Sequence, residues 1–213
     1  MRTSRLEAFS DGVLAIIITI MVLGLHEPDG RHPHLAELWH SGPGLFSYLL
    51  SFVYVGIYWA NHHHMFQVTE YVTGGVLWAN LSLLFCLSLF PFTTQWMENS
   101  TFAQTPVIVY GVNLLVAAIA YYILQTVIIR SQGKESALRK AIGRDWKGKV
   151  SPVGYIAGII AALAGGAGTI VNSPGIWVAV ACYVAMAAIW VIPDRRIETA
   201  VVPAASAGPE QHR

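Results

Sequence analysis

Long apolar runs separated by short polar stretches set the pattern of this chain. The runs lie near residues 6–26, 44–68, 73–97, 105–129, 151–171 and 175–192. A hydrocarbon core of about 30 Å needs a helix of roughly 20 apolar residues to cross it. Inside lipid the backbone must satisfy its hydrogen bonds within the chain, so such runs form helices. The pattern predicts an all-α subunit of six transmembrane helices. The connections are too short for a separate soluble domain. Residues 1–192 read as one membrane domain, and 193–213, with its Pro, Ala and Ser, as a disordered tail.

Charge refines this picture by its distribution rather than its sum. Charged residues make up 12% of the chain and the formal net charge is +1, which leaves no basic patch of the size nucleic acid requires. With six spans, Arg2, Arg5, the basic segment 130–150 and the tail arginines Arg195, Arg196 and Arg213 share one side. The opposite side receives Arg31. The positive-inside rule then puts both termini in the cytoplasm. Helix one begins like a secretion signal, but Glu7 and Asp11 interrupt its apolar part and no small-residue cleavage site follows, so it reads as a retained span. Cys86 and Cys182 lie within apolar runs and read as small buried residues.

Helix one carries Arg5, Ser10 and Asp11 at its start. Ionisable groups in a membrane helix mark a functional site or a packed polar interface. At about 1.5 Å per residue, Asp11 stands roughly 9 Å above Arg5. The same rise brings Asn61, His62, His63 and His64 of helix two and Asn80 of helix three into one layer. Two readings are open for that layer. It is a structural clamp joining helices one to three, or it is a proton or cation site. Successive residues differ by about 100° around a helix, so three consecutive histidines cannot face one ligand. No His/Cys/Asp set has the spacing of a fixed metal site.

Another face of helix one is apolar. Ile16, Ile20 and Leu23 stand at i, i+4 and i+7, with Thr19 at the edge of the stripe. Taken alone, the stripe faces lipid or another helix, and Thr19 bonds back to its own backbone. In the last two spans Gly154, Gly158, Ala162 and Gly166 recur every four residues, a seam for close helix packing within or between subunits. The chain has no nucleophile elbow, zinc-protease motif or phosphate loop, so no enzyme is expected. No cofactor is implied.

Arg5-x-x-x-Phe9-Ser10-Asp11, followed by the Ile, Thr and Leu run, resembles the signature of the transmembrane protein 175 family of potassium-permeable channels. Trp59-Ala-Asn-His62-His-His-Met-Phe66, Asn80 and Pro91-Phe92 resemble its second and third helices. The resemblance covers helices one to three; the rest match in length and polarity. It implies a homotetramer in the prokaryotic plasma membrane, with helix one of each subunit lining a central pore. It implies a hydrophobic constriction at Ile16, with Ile20 and Leu23 further outward, and a potassium-associated role for Thr19. It also implies that Arg5, Ser10, Asp11, His62 and Asn80 form an interhelical network behind the pore, which favours the clamp. The expected partners are a second, third and fourth copy, the bilayer, and potassium with other monovalent cations.

The carbonyl filter TVGYG of strongly selective potassium channels is absent, so the expected preference is weak and rests on the cheaper partial dehydration of potassium. No arginine-rich helix is present, and voltage sensing is not expected. Two other functions fit the same residues: a proton-coupled transporter with Asp11 and His62 as relay, and a scaffold without transport.

Overall fold

The structure is a computed structural model that describes residues 3–25, 42–133, 138–139, 146–165 and 173–191. The expected tail lies outside these residues, as do Arg2, Arg31, Gly166 and much of the basic segment after Gly133. The described residues form seven helical segments: α1 Thr3–Leu23, α2 Gly42–Gln67, α3 Gly74–Ser88, α4 Phe90–Asn99, α5 Gln104–Gln132, α6 Trp146–Ala164 and α7 Pro174–Val191. α3 and α4 run on as one span, Gly74–Asn99, so the subunit has the predicted six.

Two local differences have physical causes. The third span breaks at Leu89, between α3 and α4, with Pro91 in the first turn of α4. Proline lacks the N–H and its ring crowds the carbonyl four residues earlier, so the helical ladder is interrupted there. The fifth helix begins at Trp146, inside the segment read as a loop. Lys147 and Lys149 therefore sit on helix. The Lys147 stem is buried and its Nζ lies 5.9 Å above the Trp190 ring, so an apolar stem and an aromatic face receive the side chain. This polar first turn is why five spans, and not α6, are long and apolar enough by composition alone.

The packing has α5 at its centre. It touches α3, α4, α6 and α7, while α1 packs on α2, α3 and α4. Tyr54, Phe90, Tyr110 and Tyr183 fill the middle and are almost fully buried. The tyrosine hydroxyls are used: Tyr54 donates to the Tyr183 carbonyl at 2.6 Å, and Ser51 bridges Thr94 at 2.7 Å and Tyr110 at 3.0 Å. The glycine seam closes within the subunit. A Cβ on Gly158 would stand 2.5 Å from the Tyr183 ring, and one on Gly154 would strike Met186. Small residues here let α6 approach α7 closely, which substitutes for the hydrophobic drive that lipid does not supply.

Candidate functional site

Helix α1 divides its residues between two faces. Leu6, Ser10, Leu14, Ile17 and Met21 are buried against α2, α3 and α4. Their spacing of three and four residues follows the helical period. The opposite face is uncovered: Ile16 is 58% exposed, Ile20 49% and Leu23 82%. Thr19 is exposed between them, and its hydroxyl donates to the carbonyls of Ala15 and Ile16, each at 3.0 Å. Its proton is spent on its own helix, and its oxygen keeps acceptor capacity toward the uncovered side.

Behind this face runs a buried polar chain. Ser10 donates to the Leu6 carbonyl at 2.9 Å, Asn80 Nδ2 donates to Ser10 Oγ at 3.0 Å, and His62 Nε2 meets Asn80 Oδ1 at 2.7 Å. Each of these side chains is at most 1% exposed. The terminal carbonyl sets the direction. Ser10 must donate to it and therefore accepts from Asn80, whose Oδ1 accepts from His62. His62 thus carries its proton on Nε2. Its Nδ1 is buried without a hydrogen-bond partner, and the ring packs on Phe66 with centroids 4.4 Å apart.

A second polar row joins α1 to α2 beside the first. Trp59 Nε1 donates to Asp11 Oδ1 at 3.1 Å, and His63 Nδ1 meets Glu7 Oε1 at 2.6 Å. Gln67 Nε2 donates to His63 Nε2 at 2.8 Å, so the neutral His63 carries its proton on Nδ1, toward Glu7. The Trp59 and His63 rings stack with centroids 6.3 Å apart. The two helices are antiparallel, and i, i+4 pairs on each meet in register.

Of the five residues expected to form one network, the structure joins Ser10, Asn80 and His62. Asp11 lies outside that chain, because one further residue on α1 turns it about 100° toward α2. Arg5 is exposed and makes no hydrogen bond or ion pair among the described residues. Glu7, Trp59 and Gln67 were missed, and His63 was placed in the polar layer without its partners. Their signal was present as the spacings 7/11 on α1 and 59/63/67 on α2. Among the described residues no group of three His, Cys, Asp or Glu side chains is placed to hold a metal ion.

Comparison with known proteins gives this arrangement a setting. The family described as endosomal/lysosomal potassium channel TMEM175 matches residues 5–91, which contain every residue of both polar rows and of the uncovered stripe. A potassium channel of a Chryseobacterium species is 50% identical over 198 residues, 93% of this chain and 97% of that protein. The chain is a prokaryotic member of the TMEM175 family.

Other relatives of this TMEM175 chain are more distant. A protein named endosomal/lysosomal proton channel TMEM175 from Homo sapiens is 35% identical over 113 residues, 48% of this chain and 22% of the human one. The fold matches the crystal structure of a lysosomal potassium-selective channel TMEM175 homologue from Chamaesiphon minutus, with a TM-score of 0.73 and 24% identity, covering 91% of this chain and 97% of that one. The family is one of ion channels and not of enzymes.

Proposed function

We propose that this chain forms a homotetrameric, potassium-permeable cation channel of weak selectivity, with α1 of each subunit lining the pore. One observation carries the reading: the uncovered face of α1 presents Ile16, Ile20 and Leu23, while its other face packs on α2, α3 and α4 and is tied to α3 by the buried Ser10–Asn80 hydrogen bond. Four copies of Ile16 make an apolar ring that gates by dewetting. Water leaves a narrow apolar constriction, and a cation then loses hydration without replacement. Potassium, the more weakly hydrated ion, suffers less than sodium. Thr19 offers four oxygens just beyond the ring to offset part of that loss. Residues 1–192 act as one membrane unit in the plasma membrane, and the distribution of basic residues puts both termini and the 193–213 tail in the cytoplasm.

The test is cation flux from purified protein in liposomes under potassium, sodium and caesium gradients. Ile16→Ala and Ile16→Asn raise flux several-fold, because each removes apolar surface at the constriction. Absence of flux from an intact tetramer would sink the proposal.

A second reading concerns protons. The bare, buried Nδ1 of His62 is an acceptor with no donor, and the human relative is named a proton channel. If His62 relays protons, His62→Gln removes flux driven by a pH gradient and spares potassium flux. A pH-sensitive dye inside the liposomes separates the two.

A further inference from the structure

The uncovered face of α1 does not stop at Ile16. Phe9, which is 52% exposed, and Gly12, whose surroundings are open, carry it toward the start of the helix, where it reaches the exposed Arg5. Arg5 and Ile16 are about three turns apart, so on a regular helix they stand within about 20° of one direction and about 16 Å apart along the axis. The carboxylates of α1 point elsewhere, Glu7 about 180° and Asp11 about 140° from Ile16. Both are held by α2, Glu7 at His63 and Asp11 at Trp59. Arg5 has no ion pair among the described residues. The first turn of α1 holds no acidic residue, and that end of the helix carries the positive pole of its dipole.

A basic residue at the end of a span serves topology, but topology requires no particular azimuth, and Arg5 stands in line with Ile16. Its position bears on which cations pass. Where four copies turn this face toward one axis, four guanidiniums surround the pore mouth at the start of α1. Low-dielectric walls focus such a field into the lumen. The free energy of an entering cation rises in proportion to its charge. The factor by which the ring holds back a divalent cation is therefore the square of its factor for potassium. Among the described residues no carboxylate of α1 shares the open face to offset this. We propose that Arg5 sets the valence selectivity of the pore, passing potassium and turning back divalent cations. That role rests on the pore proposed above and is separate from the Ser10–Asn80–His62 chain, which Arg5 does not join.

Potassium and barium flux from the purified full chain in neutral-lipid liposomes tests this, with Arg5→Gln and Arg5→Lys beside the unmodified protein. At about 10 mM ionic strength, where the Debye length is about 30 Å, Arg5→Gln is expected to raise potassium flux about threefold and barium flux by the square, about ninefold. At about 1 M, where that length is about 3 Å, both increases vanish. Arg5→Lys retains the charge and keeps the barium-to-potassium ratio low. An unchanged ratio in an Arg5→Gln tetramer that still conducts potassium overturns the inference and leaves the pore standing. Absence of potassium flux from the unmodified tetramer removes the pore and the role of Arg5 with it. If Arg5→Gln does not assemble, Arg5→Cys labelled after assembly decides, with the unmodified protein treated alike as control. Barium flux held low by a cationic thiol reagent and not by a neutral one supports the inference, and equal flux with the two overturns it.

Discussion

Ser10, Asn80 and His62 form a chain whose direction is fixed by its last acceptor, the Leu6 carbonyl. Removing its middle member leaves a buried hydroxyl and a buried imidazole short of a partner. The penalty for such groups is about 1–3 kcal/mol in water-soluble proteins, and hydrogen bonds between membrane helices average nearer ~0.6 kcal/mol. Asn80→Ala should therefore lower stability by about 1 kcal/mol or somewhat more. Thermal unfolding of the purified protein checks this, and a melting temperature equal to that of the unmodified chain would refute the clamp. Thr19 makes a contrasting case. Its hydroxyl bonds only within α1, so Thr19→Val should leave the melting temperature unchanged. If its oxygen assists permeation, the same change lowers the potassium-to-sodium flux ratio in liposomes.

At the scale of the element, α1 is the least covered of the five long apolar helices, with 28% of its apolar window buried. Its buried face combines the apolar Leu6, Leu14, Ile17 and Met21 with the hydrogen-bonded Ser10, and its free surface carries the apolar stripe. Gly12 lies on that free surface, where an added Cβ meets nothing within 4 Å. Gly12→Ala is thus tolerated by the single subunit; any effect on flux reports contact with another copy or narrowing of the pore. α6 shows the reverse situation. Gly158→Leu drives a side chain into Tyr183, and overpacking of this kind costs about 1–3 kcal/mol. A drop in melting temperature is expected for Gly158→Leu and not for Gly12→Ala. Equal behaviour of the two would mean that the seam is looser than its geometry implies.

At the scale of the whole molecule, the open stripe of α1 is met by lipid or by another copy, since the subunit leaves it uncovered. In the proposed tetramer, four-fold closure would turn the four stripes toward one axis and enclose a pore. Light scattering in detergent should return four times the mass of one chain, after allowance for the micelle. In the proposed tetramer Ile20→Cys should cross-link copies under mild oxidation, because equivalent positions would face one another across the axis. Cys86 is buried and Cys182 half-buried, so the unmodified protein should give little background. A monomeric mass with undiminished cation flux would overturn the tetramer and leave the channel to be sought within one subunit.

How much of this was legible in the chain follows from which forces are local. The six spans could be read directly, because the bilayer forces any long apolar run into a helix whatever its neighbours. The stripe at Ile16, Ile20 and Leu23 and the common layer of Asp11, the His62–His64 run and Asn80 were also legible, since rise and rotation per residue are constants of the helix. The partners were not. That His62 takes Asn80 while His63 takes Glu7, and that Asp11 is held by Trp59, depends on which helix stands at each azimuth. Likewise the glycine seam announced a close contact, but only packing against Tyr183 and Met186 placed it inside the subunit. Sequence by itself determined the helices, their faces and the depth of each polar group. Tertiary structure decided who meets whom, because the identity of a neighbour is set by residues far away along the chain.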